Sequence, residues 1–218
     1  MNHVAIEPLL IKQALLNPQT RAIAEHYANR YAGKKIIVGV DPCQRLSGVV
    51  YKFEAYEKYL VDDPKAAKSV VLIQKCIRTG SRKEDEACTS SELQHVANTI
   101  NSRYTKRSGS QGTLGVSYSS SARATSAAMV LNSGGSGTPP STSSPNLVID
   151  YEEVSSLNLI HRVALWLVSD VFLLTSLREG LNLMPMEYIF TRRHLAHAGA
   201  LVASEFALTS SLLSGSLK

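Results

Sequence analysis

Short, β-branched apolar runs recur along the chain at residues 36–38, 70–73, 147–149, 171–174 and 200–202. Runs that are apolar throughout and this short predict strands buried on both faces, the pattern of a parallel sheet. Between them the apolar spacing changes to three or four residues, the period of a helix face. Val50, Phe53, Glu57 and Leu60, with Tyr56 beside them, make one such stripe. Leu93, Val96 and Ile100 make a second, and Leu159, Val163 and Trp166, with Ile160 and Leu167, a third. Strands alternating with helices predict βαβ units. Right-handed crossovers then give an α/β fold: a Rossmann-like parallel sheet with helices on both faces, one domain over residues 1–218. One segment departs from this. From about residue 106 to 145 the chain is rich in Ser, Gly and Thr, with Gly134-Gly135 and Pro139-Pro140. It has too little apolar surface to offset chain entropy and reads as a disordered insertion before a strand.

Composition adds boundaries to this picture. With 218 residues and 44% hydrophobic content the chain can bury a real core. A formal charge of +5 suits an anionic small ligand as well as nucleic acid, but no nucleic-acid-binding motif is present. Cys43, Cys76 and Cys88 are odd in number and lack metal-ligand spacing, so they read as thiols of a reducing compartment. No apolar run approaches the roughly 18 residues of a membrane span. Residues 1–19 are mixed and carry no signal-peptide pattern, which makes the cytosol the expected location.

The densest chemistry lies at residues 178–188, Arg-Glu-Gly-Leu-Asn-Leu-Met-Pro-Met-Glu-Tyr. The stretch follows the apolar run at 171–174, and Pro185 suits the first turn of a helix. A polar turn between strand and helix is where α/β proteins hold ligands, and helix-start amides favour phosphate. Glu179, Asn182 and Glu187 supply two acids and an amide there. A second loop, Asp41-Pro-Cys-Gln-Arg-Leu-Ser-Gly48, follows the first strand. Gly48 before a helix would let backbone approach a phosphate, although neither a Walker loop nor a Gly-x-Gly-x-x-Gly fingerprint is present. Arg45 and Lys52 are the nearby cations; either could contact a phosphate, and Lys52 on a helix face could equally be solvent-exposed. His161, His194 and His197 match no metal site and read as structural or surface residues. No metal or cofactor is expected.

These motifs together resemble one family. In order they are Gly39-Val-Asp41, Gly48, Ala55-Tyr-Glu57, Val71-Leu-Ile-Gln74, Ile100-Asn101, Arg178-Glu-Gly-Leu-Asn-Leu183, Glu187-Tyr188 and Ser204-Glu-Phe206. The opening His3-Val-Ala-Ile-Glu-Pro8 fits as well. The chain resembles the C-terminal half of the trehalose-6-phosphate synthases, retaining GT-B glycosyltransferases that move glucose from UDP-glucose to glucose 6-phosphate. The resemblance implies that Glu187 holds the ribose hydroxyls, since a carboxylate can accept from both members of a diol. It implies that Glu179, where the family has Asp, holds the transferred glucose, and that the turn Gly180, Leu181, Asn182 and Leu183 meets the donor with backbone amides. Arg82 matches an arginine that contacts the acceptor phosphate. A UDP-sugar, a sugar phosphate and other synthase-family subunits are the implied partners.

The departures from the family pattern matter equally. After the first strand the family reads Val-Asp-Arg-Leu-Asp-Tyr-x-Lys-Gly, whose Arg and Lys clamp the diphosphate. Here those positions are Pro42 and Ser47. Losing one such donor costs on the order of a hundredfold in related sites. The resemblance also implies that the N-terminal acceptor domain is absent and that the family continues beyond Leu217-Lys218. The chain alone is therefore expected not to catalyse transfer, and a regulatory, sugar-phosphate-sensing or structural-partner role stands beside the donor-binding one.

Overall fold

A computed structural model describes residues 6–107 and 147–210, apart from 194, 196 and 209. Nearly all of the Ser/Gly-rich segment, and His194, lie outside the described residues. The element order is α1 (Pro8–Leu16), α2 (Pro18–Arg30), β1 (Lys35–Pro42), a 3-10 turn (Arg45–Ser47), α3 (Val49–Asp62), the short α4 (Ala66–Ser69), β2 (Val70–Ile77), α5 (Lys83–Arg107), β3 (Ile149–Val154), α6 (Leu159–Val168), β4 (Val171–Leu174), α7 (Met184–Arg192) and β5 (Ala200–Ala203). The five predicted strands all form, in the order β3-β2-β1-β4-β5. Every pairing is parallel.

Helices cover both faces. On one, Val49, Phe53, Tyr56 and Leu60 of α3 and Leu93, Ala97 and Ile100 of α5 pack on alternate strand residues such as Leu72 and Ile149. On the other, Ile11 and Ala14 of α1, Val163, Leu165 and Trp166 of α6, and Tyr188 of α7 pack on Ile36, Val38, Val71, Ile73 and Phe172. Trp166 lies 4.4 Å from Phe172 and 5.9 Å from Tyr188 between ring centroids, the second pair edge to face. Tyr188 thus anchors the helix that follows the 178–188 turn, and its hydroxyl donates to the carbonyl of Ala200 on β5 at 3.1 Å.

Two departures from the sequence expectation have local causes. The helices α1 and α2 were not predicted by the mixed opening segment. Both begin with proline in the first turn, and the Asn17 side chain caps α2 by accepting from the Gln19 amide at 2.8 Å. The third strand, predicted over 147–149, instead runs from Ile149 to Val154 with Asp150, Glu152 and Glu153 within it. It is an edge strand, and partners in neighbouring elements accommodate its acids. Asp150 accepts from the Tyr31 hydroxyl at 2.7 Å, Glu153 from the Ser90 hydroxyl at 2.6 Å, and Glu152 pairs with Lys75. A strand with such partners need not be apolar.

Candidate functional site

The chain leaves β1 toward α3 on one face of the sheet and leaves β4 toward α7 on the other. Because β1 and β4 are neighbours, their connections part above the carboxyl ends of these strands. In parallel sheets that parting makes a crevice, the usual place for a ligand. A cleft of about 550 Å³ lies there. Pro42, Gln44, Leu46 and Ser47 line it from the β1 side, and Ser176, Arg178, Glu179 and Gly180 from the β4 side. Arg82, from the loop between β2 and α5, also lines it. The two loops are knit together: the Leu177 amide donates to the Leu46 carbonyl at 2.9 Å, and the Thr175 hydroxyl to the Gly48 carbonyl at 3.1 Å.

Glu179 sits half-buried at the mouth of this cleft. Its carboxylate accepts from the Ser176 hydroxyl at 2.8 Å and from the Asn182 amide at 2.9 Å. Asn182 in turn accepts at 2.9 Å from the amide of Met184, the first residue of α7. The turn therefore fixes the acid relative to the helix. Burial pushes the Glu179 carboxyl above its ordinary value of 4.5, opposed by the hydrogen bonds from Ser176 and Asn182. A carboxylate accepts from two sugar hydroxyls only when ionised. Affinity for a glucose-bearing ligand should therefore fall on acidification at a pH above 4.5, and a Glu179→Gln variant should lose that dependence. Calorimetric titrations across pH 4–8 check it. The linked stability has the opposite sense: a raised carboxyl favours the folded state when protonated, and this contribution is lost as pH rises through the folded value.

Lys52, which the sequence left as a phosphate contact or a solvated lysine, is neither. Its side chain is wholly buried, with Nζ 2.5 Å from Asp41 Oδ2 and 3.1 Å from Gln74 Oε1. Gln74 completes the triangle by donating to Asp41 at 2.9 Å. The cluster explains Gly39, because a Cβ there would collide with the ends of Gln74 and Lys52. Gly48 is also needed for a reason other than the expected one. It adopts φ +69°, and a Cβ would run into the Thr175 carbonyl rather than occupy room kept for a phosphate. The close approach is between two loops of the same chain.

The remaining candidates divide. Arg82 joins Glu179 and Gly180 at the cleft. Arg45 is exposed on the 3-10 turn and is not part of the cleft wall. Leu181 is exposed beyond the turn, and Leu183 precedes the first residue of α7. Glu187 is nearly buried in the first turn of α7, where both carboxylate oxygens accept from one guanidinium, Arg162, at 2.8 and 2.9 Å. A third Arg162 N–H donates to the Leu157 carbonyl at 2.7 Å. Two arginines thus escaped the sequence reading. Arg178 adjoins Glu179 in the motif and could have been marked as a cation of the same turn. Arg162 is 25 residues from Glu187 and only the fold pairs them.

Other features lie away from this cleft. A cavity of about 630 Å³ opens between α2 and α6 and includes His26, Lys75, Glu152 and His161. It is the larger of the two, but its lysine and acid are already paired and none of the turn residues reaches it. His161 belongs to the cap of α6: the Asn158 side-chain oxygen accepts from its backbone amide at 2.9 Å and lies 2.8 Å from its ring Nδ1, and His197 is exposed. Cys43 and Cys76 are buried free thiols and Cys88 an exposed one. No described helix is long and apolar enough to cross a membrane.

Comparison with known proteins agrees with this geometry. The model of glycosyltransferase family 20 matches residues 1–125 and 150–217. A UDP-forming α,α-trehalose-phosphate synthase of Schizosaccharomyces pombe is 31% identical over 98% of the chain, which spans 34% of that protein. The Escherichia coli structure bound with UDP-2-fluoro glucose superposes with a TM-score of 0.69 at 21% identity, over 95% of this chain and 37% of that one. A Burkholderia xenovorans α,α-trehalose-phosphate synthase in complex with glucose-6-phosphate gives 0.70 at 18% identity, over 95% and 37%. The chain thus spans about a third of the length of these relatives. The switch-point cleft, the fixed acid of the β4–α7 turn and a family match over both flanks of the Ser/Gly-rich segment lead to one assignment: the chain belongs to glycosyltransferase family 20.

Proposed function

We propose that the chain is the donor-side domain of a trehalose-6-phosphate synthase-type glycosyltransferase, which holds UDP-glucose while glucose passes to glucose 6-phosphate with retention. The observation that carries this reading is the Ser176–Glu179–Asn182 network at the switch-point cleft. Two donors hold the Glu179 carboxylate in place before any ligand arrives, so little ordering is left to be done on binding. It lines a cleft whose other polar side chains are Ser176, Ser47, Gln44 and two arginines, a set matched to hydroxyls and phosphate. The residues need no metal for this role. A cytosolic location and assembly with other synthase-family subunits belong to the same proposal.

Calorimetry on the full chain tests it. UDP-glucose should bind, Glu179→Ala should weaken it at least tenfold, and UDP without the glucose should be unaffected. An unchanged UDP-glucose affinity in Glu179→Ala removes the sugar-end assignment. A second reading, a non-catalytic sugar-phosphate-sensing module, is favoured by the closed Glu187–Arg162 pair and by the uncharged Pro42 and Ser47. It requires that glucose 6-phosphate bind and UDP-glucose not.

A further inference from the structure

The position of the cleft's positive charge has no counterpart in the first-strand motif. Pro42 and Ser47 stand on its β1 wall and contribute none. Lys52, the nearest lysine in sequence, is committed to Asp41 and wholly buried. Yet two arginines, Arg178 and Arg82, line the same cleft from the loops after β4 and β2. Neither makes a salt bridge or a side-chain hydrogen bond among the described residues. By contrast Arg103 pairs with Glu57, Arg162 with Glu187, Arg30 with Asp150 and Arg78 with Glu153. Among the described residues Glu179 is the only acid on the cleft wall, and Ser176 and Asn182 already engage it. The cleft wall therefore carries two cations that have no acidic partner among the described residues.

We infer that Arg178 is the anion clamp of this cleft, acting with Arg82 on the phosphate or diphosphate of the sugar ligand in place of the cations absent at positions 42 and 47. The inference rests on the donor-site reading and extends it to a residue and a ligand group that reading leaves unassigned. Its chemistry is that of a planar guanidinium, whose paired N–H groups match two phosphate oxygens, as an ammonium cannot. Arg178 directly precedes Glu179, so one turn carries the groups for both ends of a glycosyl phosphate. The clamp side chain is exposed and bears no structural bond, so its removal leaves the fold intact.

The test uses the full chain with UDP-glucose, UDP and inorganic pyrophosphate as probes, titrated calorimetrically at two salt concentrations. Arg178→Ala should weaken all three at least tenfold and flatten the salt dependence. Arg178→Lys should recover only part of the loss. Glu179→Ala, run in parallel, should weaken UDP-glucose and spare UDP and pyrophosphate. Wild-type affinity for all three probes in Arg178→Ala, with Glu179→Ala still impaired, overturns the clamp and leaves the donor site standing. Loss in Arg178→Ala with Glu179→Ala unimpaired supports the clamp and removes the sugar-end assignment. No binding of any probe to the wild-type chain overturns both. Thermal unfolding of Arg178→Ala should match that of the wild type, which separates a lost contact from a lost fold.

Discussion

Replacing Lys52 with Met should lower the unfolding free energy by about 3–5 kcal/mol, the cost of leaving a buried charge without its partner. Asp41 and Gln74 would remain, both wholly or almost wholly buried, with the carboxylate keeping only the Gln74 amide. Urea denaturation of the full chain reads the change as a shifted midpoint. The double replacement Asp41→Leu with Lys52→Met should be less damaging than Lys52→Met alone, because no unpaired charge is left. A double variant as unstable as the sum of its parts would show instead that the two charges are uncoupled. The cluster also reaches the site. Asp41 raises the Glu179 carboxyl and Lys52 lowers it, so removing Lys52 alone should move the acid limb of glucose binding to higher pH. One substitution thus has a stability readout and a functional one, and a structural lysine with no link to the site would show only the first.

The layered fold was legible because buried parallel strands are apolar on both faces, and that signal is local. Val70 to Ile73 announces β2, and Val171 to Leu174 is β4 without adjustment. What local pattern could not show was any polar group whose burial depends on a distant partner. Gln74 and Lys75 continue β2 because Asp41 and Glu152 meet them across the sheet, and the acids of β3 are tolerated for the same reason. The site divides along the same line. Glu179 and Asn182 bond within one turn, three residues apart, so their association was readable from spacing. Lys52 and Glu187 were read as ligand groups from their place in a motif, but each is held by a residue that the motif does not contain, Asp41 in β1 and Arg162 in α6. Motif position told which elements face the cleft. It did not tell which charges were still free when the chain had folded.

That distinction governs the second large effect. Changing Pro42 to Arg and Ser47 to Lys together should raise UDP-glucose affinity in the full chain by roughly tenfold to a hundredfold, since hydrogen bonds to charged groups contribute about 1.5–3 kcal/mol each before the cost of ordering the side chains. Both positions line the cleft opposite Glu179 and Arg178, so the new side chains would start within it. The two changes are not equivalent. Pro42 ends β1 with its neighbour Cys43 donating to the Ile77 carbonyl at 2.8 Å, so an arginine there would sit on a strand end already held in place. Ser47 is 8% exposed, and a lysine must grow out of a nearly closed position in the 3-10 turn. The arginine should therefore carry most of the gain and the lysine add less. If Arg178 is the clamp, the gain should be larger in an Arg178→Ala background, because the restored cations would then compete with no resident one. Equal gains in both backgrounds would place the new charges on a different part of the ligand from Arg178. Unchanged affinity in both would mean that the β1 loop no longer approaches a phosphate, and that the family's diphosphate subsite has been given up in this chain.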